Sequence, residues 1–230
     1  MKRSLIALAA LAVASASAFA GDFSSKNIGV EGKLGFPGVG LSFNGPINDS
    51  WNWRFDTTYG ELDKSKTIDG VRYTADFKAQ YNTLAAEFKP WKDSGFYLVG
   101  GLALGKTKAS LSANINEPIS FNGVTYNAGD LASVSGEIKS RSNTALFLGV
   151  GKRFGDADKA GWYGNWEVGG YLRQFKATLS ATCSDALATS NPAACDQLAT
   201  DVAAEQAKLN DDVKKLKFLP AFSIAIGYRF

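Results

Sequence analysis

The sequence has no histidine, one methionine and two cysteines among its 230 residues. Histidine is the usual general base of hydrolases and acyl transferases, so its absence argues against an enzyme of these classes. Two cysteines without a histidine make a poor metal site, and no phosphate-binding or dinucleotide-binding glycine motif occurs. We therefore predict no catalytic site, no metal and no cofactor.

The chain also lacks an excess of charge of one sign and long apolar runs. Lysine and arginine number 25 against 22 aspartates and glutamates, a net charge of +3, so nothing indicates a nucleic-acid partner. Beyond residue 20 no apolar run approaches the roughly 20 residues of a transmembrane helix. With 45% hydrophobic residues, 12% aromatic residues and 24 glycines, the composition excludes a disordered chain and suits β-structure.

Residues 1–20 have the order of a secretory signal peptide. Lys2 and Arg3 precede an apolar stretch, and Ala18-Phe19-Ala20 offers a small-x-small cleavage site. The apolar stretch is too short to remain as a membrane-spanning helix. We predict cleavage after Ala20 and export of residues 21–230 as a single domain.

The exported segments alternate between a large apolar face and a face of charged and small residues. In the last segment Ile224 and Ile226 share one face, and Gly227 and Arg229 share the other. A soluble barrel that placed charges such as Arg54 in a dry core would lose several kcal/mol for each unpaired ion. The opposite orientation, with the apolar face in lipid and the charges paired inside, is a transmembrane β-barrel.

Alternating short and long connections allow the strands to be counted. Counting back from the C-terminus predicts strands near 217–230, 162–181, 136–154, 96–112, 72–90, 51–61 and 38–45. Residues 28–36 supply an eighth apolar face, so Pro37-Gly38 is either a tight turn or a bulge within one long first strand. We favour eight strands because single-chain bacterial barrels have even counts. The expected fold is an all-β, antiparallel up-and-down transmembrane barrel.

Strand 72–90 changes phase along its length. Phe77 and Tyr81 are expected on the lipid side early in the strand, and Leu84 and Phe88 later. A bulge near Asn82-Thr83 would explain the change.

Two connections carry local signals of their own. In loop 113–135, Asn122-Gly123 lies between apolar-rich runs, which predicts a hairpin above the membrane. The long external loop 182–216 holds both cysteines, and in an exported protein a disulfide between Cys183 and Cys195 is expected.

The same long loop is expected to contain a helix. Asn191-Pro192 supplies a cap and a first-turn proline, and apolar residues from 193 to about 215 recur at helical spacing. The apolar stripe must lie on another surface. The helix is either a lid packed on the barrel mouth and the hairpin, or a gate or receptor-binding element.

Strand parity places thirteen charged residues on the lumen side, eight cations and five acids. They are Glu31, Lys33, Arg54, Asp56, Asp76, Lys78, Glu87, Lys139, Arg141, Arg153, Glu167, Arg173 and Arg229. An eight-stranded barrel is barely wide enough for its own side chains. These groups would either pair and fill the lumen or leave a narrow conduit that favours anions.

The chain ends in Ser223-Ile224-Ala225-Ile226-Gly227-Tyr228-Arg229-Phe230. With this ending, and with Phe121-Asn122-Gly123-Val124-Thr125-Tyr126 and Glu205-Gln206-Ala207-Lys208-Leu209, the sequence resembles the small outer-membrane β-barrels of Gram-negative bacteria, grouped with OmpW, OmpA and the opacity proteins. The resemblance implies a place in the outer membrane, in contact with its lipids and lipopolysaccharide. It also implies that the barrel assembly machinery recognises Ile226, Tyr228 and Phe230.

Two functional hypotheses follow. The first is a monomeric, porin-like barrel that admits small solutes at low conductance and is capped or gated by its last loop. The alternative is a structural barrel with a closed lumen, whose external loops mediate surface binding or adhesion.

Overall fold

The computed structural model describes residues 28–68, 71–91, 94–115, 117–155 and 159–230. The predicted signal peptide and the cleavage site at Ala20 lie outside these residues. Within them, no helix has both the length and the apolar character that crossing a bilayer requires.

The described part of the chain contains twelve strands, two α-helices and one 3₁₀-helix, Ala128–Asp130. The strands are Gly29–Phe36 (β1), Val39–Pro46 (β2), Trp51–Ile68 (β3), Val71–Phe88 (β4), Phe96–Asn114 (β5), Ile119–Phe121 (β6), Val124–Tyr126 (β7), Leu131–Ser140 (β8), Thr144–Phe154 (β9), Gly161–Leu172 (β10), Phe175–Cys183 (β11) and Phe218–Arg229 (β12). The helices Asp185–Ser190 (α1) and Pro192–Val213 (α2) lie between β11 and β12.

The sheet closes into a barrel with eight strands around its circumference. Strands β8 and β9 pair with successive parts of β5, so they are halves of one long strand interrupted at residues 141–143. Strands β10 and β11 are likewise halves of one strand, interrupted at residues 173–174. Strand β1 pairs with both β2 and β12, which closes the antiparallel sheet. The predicted fold class and strand number are confirmed.

Pro37 and Gly38 form a tight turn between two separate strands. The N–H of Gly35 donates to the carbonyl of Gly38 at 3.0 Å, and β1 and β2 pair along their length. The turn lies at the end of the barrel that carries the long connections, which we call the loop end. The opposite end, with the short connections, is the turn end.

Strand β4 has no bulge, and the predicted change of phase near Asn82-Thr83 is wrong. Its pairing with β3 and β5 runs without a register shift, so odd-numbered residues face inward throughout. Tyr81 is completely buried in the lumen and Ala79 is 2% exposed. The prediction failed because it assigned large apolar residues to lipid, whereas aromatic side chains also fill this lumen.

The outward face carries an apolar belt. On β5 the belt extends over residues 96–104, close to the 9–11 residues that a tilted strand needs to cross a bilayer. Large apolar side chains remain exposed all around the belt, including Leu84, Leu98, Leu102, Leu148, Val168, Phe222, Ile224 and Ile226. Aromatic residues cluster at the turn end, where Trp162, Tyr228 and Phe230 make edge-to-face contacts.

At the loop end, five strands continue beyond the belt. Strands β3, β4, β5, β8 and β11 form a curved sheet there, whereas β1, β2 and β12 stop near the level of the belt. The extension is therefore an open sheet with two edges, β3 and β11. We call it the loop-end sheet.

Helix α2 covers the β11 edge of the loop-end sheet. The side chain of Asn210 accepts from the N–H of Ala177 at 3.0 Å and donates to its carbonyl at 2.9 Å. The N–H of Leu179 donates to the side chain of Gln206 at 2.9 Å. These amide side chains satisfy an edge that would otherwise expose unpaired backbone groups.

Candidate functional site

A network of charged side chains crosses the lumen at membrane depth, and Arg54 lies at its centre. Its guanidinium donates to Glu87 at 3.2 Å and forms two hydrogen bonds with Glu167. Its Nε lies 2.9 Å from a carboxylate oxygen of Asp56. Three carboxylates thus surround one cation, an arrangement that suits the several fixed donors of arginine.

Arg153 is the second centre of the network. Its guanidinium lies 3.3 Å from Glu31 and 3.3 Å from Glu87, and so links Glu31 to the Arg54 group. Asn44 and Asn165 each donate to Glu31 at 2.8 Å. Every lone pair satisfied in this way lowers the free-energy cost of keeping a carboxylate away from water.

The network is balanced in charge. Lys33 lies 3.5 Å from Asp56 and 3.7 Å from Glu167, and Arg229 donates to Asn44 at 3.1 Å. With Arg54 and Arg153 these cations number four, matching four acids (Glu31, Asp56, Glu87 and Glu167). The anion-favouring excess predicted from the sequence does not extend to this network.

An aromatic layer lies next to the charge network on its loop-end side. The rings of Tyr81 and Tyr171 stack with centroids 4.0 Å apart, and Phe147 packs 4.9 Å from Tyr171. Arg173 donates to the Tyr81 hydroxyl at 2.7 Å and to the carbonyl of Ser142 at 2.7 Å. A cavity of about 30 Å³ beside Lys33, with room for one or two water molecules, separates parts of the two layers. At membrane depth the lumen is filled by side chains.

The structure brings nine of the thirteen charged residues predicted for the lumen into it. Eight of them are no more than 5% exposed, and the Lys33 side chain is 10% exposed. The nine are Glu31, Lys33, Arg54, Asp56, Glu87, Arg153, Glu167, Arg173 and Arg229.

The other four charged residues lie away from the lumen. Lys78 pairs with Glu61, and Lys139 with Glu137, on the outer face of the loop-end sheet. Asp76 shares that outer face, because β4 keeps one parity throughout. Arg141 is exposed in the break between β8 and β9. The rule that charges face inward holds only where lipid surrounds the strand, and these residues lie beyond the belt.

The remaining predicted residues occupy the two ends of the barrel. Cys183 and Cys195 form the expected disulfide, which ties the end of β11 to the first turn of α2. Ile226, Tyr228 and Phe230 lie on the lipid-facing side of β12. Their recognition by the assembly machinery stays a prediction. Among the described residues no cluster of three or more potential metal ligands occurs.

The loop-end sheet reverses the polarity of the barrel below it. On β5, Leu102 and Leu104 face outward in the belt, and beyond them Lys106 and Lys108 take that face. The inward face changes in the opposite sense, from the charge network to apolar residues. A sheet with apolar residues on its inner face and polar residues on its outer face is typical of a protein surrounded by water. The loop-end sheet therefore stands outside the bilayer.

The concave side of the loop-end sheet and helix α2 border a half-open cavity of about 680 Å³, which we call the vestibule. Its inner surface is formed by apolar side chains from every strand of the sheet and from the helix. These include Leu62, Phe77, Leu111, Ile138, Leu179 and Leu209. Phe77 also packs against the aromatic layer, so the filled lumen is the floor of the vestibule.

A hairpin and helix α2 form a cap over one side of the vestibule. The hairpin is built as predicted, with positive φ angles of 52° at Asn122 and 84° at Gly123. Phe121 and Tyr126 pack with Leu198 and Val202 of the helix in one buried cluster. Of the two roles considered for the helix, packing on the hairpin is therefore present.

Asp201 joins the helix to the hairpin by hydrogen bonds. It accepts from the Tyr126 hydroxyl at 2.7 Å, from Asn122 at 3.3 Å and from Gln197 at 3.1 Å. The hydrogen bond from Tyr126 lowers the pKa of Asp201. Burial, followed by the hydrogen bond to Asp201, raises the pKa of Tyr126 to about 12.

These pKa shifts predict that the cap stays docked at neutral pH and loosens at both extremes. The lowered pKa of Asp201 gives stability above its unfolded pKa of about 3.9, which is lost as the pH falls through the folded pKa. The raised pKa of Tyr126 gives stability below its unfolded value of about 10, which is lost as the pH rises towards 12. Hydrogen exchange of α2, with each rate divided by the intrinsic rate at that pH, measures the effect.

Substitution at Asp201 tests the same contact at neutral pH. We expect Asp201→Asn to raise corrected exchange of the first turns of α2 by roughly tenfold, because an NH₂ group then faces donors. Asp212→Asn, an exposed change on the same helix, is the control and should leave exchange unchanged. Equal exchange in the two variants would contradict the role given to Asp201.

Sequence reasoning missed two groups of residues. Neutral polar side chains such as Asn44 and Tyr163 complete the charge network, but the pattern of charged residues alone does not reveal them. The vestibule was also missed, although one signal exists. The outward-facing residues of β5 change from leucine to lysine between Leu104 and Lys106, and this change marks the edge of the membrane.

The fold and the site define a transmembrane β-barrel of eight strands with a filled lumen and a water-exposed vestibule above it. CarO2 of Acinetobacter baumannii has a similar structure, with a TM-score of 0.61 and 21% identity over 89% of this chain and 98% of that chain. CarO of the same species has a TM-score of 0.57 and 22% identity over the same shares. At this identity the similarity shows the fold alone. No protein-family model matches the chain, and no curated protein does.

Proposed function

We propose that the protein is an outer-membrane barrel of a Gram-negative bacterium whose lumen is closed to diffusing solutes and whose working surface is the vestibule and its cap. The observation that carries the proposal is the filled lumen, in which Arg54 and Glu87 are at most 1% exposed. From the sequence, a narrow channel was the first hypothesis. Side chains packed across the whole lumen favour its alternative, a closed barrel that binds at its external face.

The location in the outer membrane is supported by independent features. The N-terminal segment has the order of a secretory signal, and the folded chain has a lipid-facing belt and closed backbone pairing. The long connections lie at one end, which in such barrels faces the outside. On this proposal the barrel is a monomer in contact with outer-membrane lipids and lipopolysaccharide, and Ile226, Tyr228 and Phe230 serve as its assembly signal.

The construction of the loop end supports a binding role. Long loops are usually either functional or disordered. Here the disulfide, the hydrogen bonds that Asn210 and Gln206 accept from β11, and the contacts of Asp201 all fix the helix in place. Such fixing reduces the conformational entropy that a ligand would otherwise have to remove on binding.

Single-channel recording of the purified protein in a planar bilayer tests the closed lumen. We expect no discrete openings, with or without reduction of the Cys183–Cys195 disulfide, because the disulfide lies in the cap and the charge network lies below it. Heat-modifiable migration on a denaturing gel confirms that the inserted protein is folded. Steady, anion-selective openings of the unmodified protein would contradict the proposal and support a gated channel.

A matched lumen variant shows that the recording can detect an open barrel. Arg54→Ala with Glu167→Ala removes a cation and an acid together, so the charge balance of the network is kept while its centre is emptied. We expect brief openings from this variant in the same bilayer. Equal conductance of the variant and the unmodified protein would show that the network does not close the lumen.

A further inference from the structure

We propose that the vestibule binds a small single-chain amphiphile with an anionic head, of the fatty-carboxylate class, taken from the water phase. The inference rests on the proposed function, since it names the ligand of the external face. The volume of about 680 Å³ lies within the ~300–1,000 Å³ of small-molecule sites.

The apolar surface of the vestibule is open to water. Leu62 is 52% exposed, Leu111 is 46% exposed and Ile138 is 38% exposed, although all three face the concave side of the loop-end sheet. Outside the bilayer, a contiguous apolar surface of this kind typically marks a binding site. Covering this apolar surface removes it from water, which favours binding.

Bilayer lipid is not in a position to cover this surface. At the height of the vestibule the outer face of the sheet carries Lys108 and Lys139, both paired with Glu137. These ion pairs lie in water, beyond the apolar belt. An acyl chain still anchored in the bilayer would have to pass this polar rim, so we assign the site to a free amphiphile.

The wall of the vestibule leaves an entrance. Strand β2 pairs with β3 only as far as Tyr59, so β3 has an unpaired edge beyond that residue. On the other side, helix α2 covers β11, and β12 begins only at Phe218. Because no described strand pairs with this edge of β3, we assign the entrance of the vestibule to this side.

Lys64 supplies a positive charge on the inner face beside the apolar surface. On β3, Lys64 faces inward like Leu62. Its partner on β4 is Ala75, and the partner of Ala75 on β5 is Leu111, so Lys64 and Leu111 lie in one row across the sheet. Within the described ranges Lys64 forms no ion pair. The acids near the cavity, Asp76 and Glu137, belong to the outer face of the sheet by parity. A carboxylate head near Lys64, with its chain over Leu111, complements both features.

Gly136 offers a way to fill the site without disturbing the fold. It lies opposite Leu111 on β5 and opposite Leu179 on β11, and so faces the middle of the vestibule. A Cβ added at Gly136 would meet no atom within 4 Å. Gly32 is its match on the lipid face, a strand glycine whose added Cβ also meets nothing within 4 Å.

The experiment measures binding of 11-(dansylamino)undecanoic acid to the full protein in phosphatidylcholine nanodiscs, which avoids detergent as a competitor. We expect a saturable rise in fluorescence above empty discs, displaced by dodecanoate. Gly136→Trp should weaken binding at least tenfold, and Gly32→Trp should leave it unchanged. Uptake no greater than in empty discs, or equal affinity of Gly136→Trp and the unmodified protein, would overturn the inference.

Substitution of Lys64 tests the anionic head of the proposed ligand. Lys64→Gln should weaken displacement by dodecanoate several-fold and leave displacement by dodecanol unchanged, and Lys64→Arg should retain both. Equal displacement by dodecanoate in Lys64→Gln and the unmodified protein would overturn the assignment of an anionic head. If the barrel is silent in planar bilayers and does not bind the probe, the amphiphile site is overturned and the closed lumen stands. If the lumen conducts and the vestibule binds the probe, the closed lumen is overturned and the amphiphile site stands.

Discussion

Replacing Arg54 by methionine is expected to destabilise the barrel by about 3–5 kcal/mol, the usual effect of removing one partner from a buried ion network. Methionine keeps much of the volume of the side chain, so little of the loss comes from a cavity. The loss arises because Asp56, Glu87 and Glu167 remain buried among the side chains that fill the lumen, without the cation that lies between them. Urea unfolding in phospholipid vesicles, followed by tryptophan fluorescence, measures the change.

Two further variants separate charge balance from packing. Lys33→Met removes a cation at the edge of the same network, 3.5 Å from Asp56, and should cost much less because Asp56 and Glu167 both keep their contacts with Arg54. Arg54→Met combined with Glu167→Gln should recover part of the loss, since one carboxylate is neutralised together with the cation. A double variant less stable than Arg54→Met alone would show that packing, and not unpaired charge, dominates at this position.

Much of the fold could be predicted because the membrane imposes a simple rule on strands. Period-two alternation located seven strands and an eighth apolar face at residues 28–36, and the even strand counts of bacterial barrels favoured the turn at Pro37-Gly38 over a bulge. Local signals were equally informative. Asn122-Gly123 produced the hairpin, and Asn191 with Pro192 produced the helix start, where the Asn191 side chain accepts from the N–H of Ala194.

The site was less predictable because the same alternation has the opposite meaning above the membrane. Lys78 and Lys139 were assigned to the lumen by a rule that holds only inside the bilayer, and both face water on the loop-end sheet. Leu111 was unrecognised for the same reason. The depth at which the rule reverses depends on how far each strand rises beyond its neighbours, which is a property of the whole sheet and not of any segment.

Leu148→Lys is expected to lower the free energy of unfolding more than most surface substitutions, because Leu148 contacts lipid in the middle of the apolar belt. Leu148 is 47% exposed on the outer face of β9, opposite Gly100 and Gly170 in the middle of the apolar belt. Lysine at the midplane of an outer-membrane barrel costs about 2–4 kcal/mol. Reversible urea unfolding from phospholipid bilayers measures the loss, and Leu148→Met should cost little.

Ser135→Lys is the matched change on the other half of the same long strand. Ser135 also faces outward, opposite Ser112 and Ser180, but beyond the belt among the charged residues of the loop-end sheet. Because water surrounds that face, we expect its free energy of unfolding to stay within about 0.5 kcal/mol of the unmodified protein. Equal losses for Leu148→Lys and Ser135→Lys would mean that lipid reaches the level of the vestibule. The bilayer would then supply its own chains to the apolar surface, and the argument for a water-borne ligand would no longer hold.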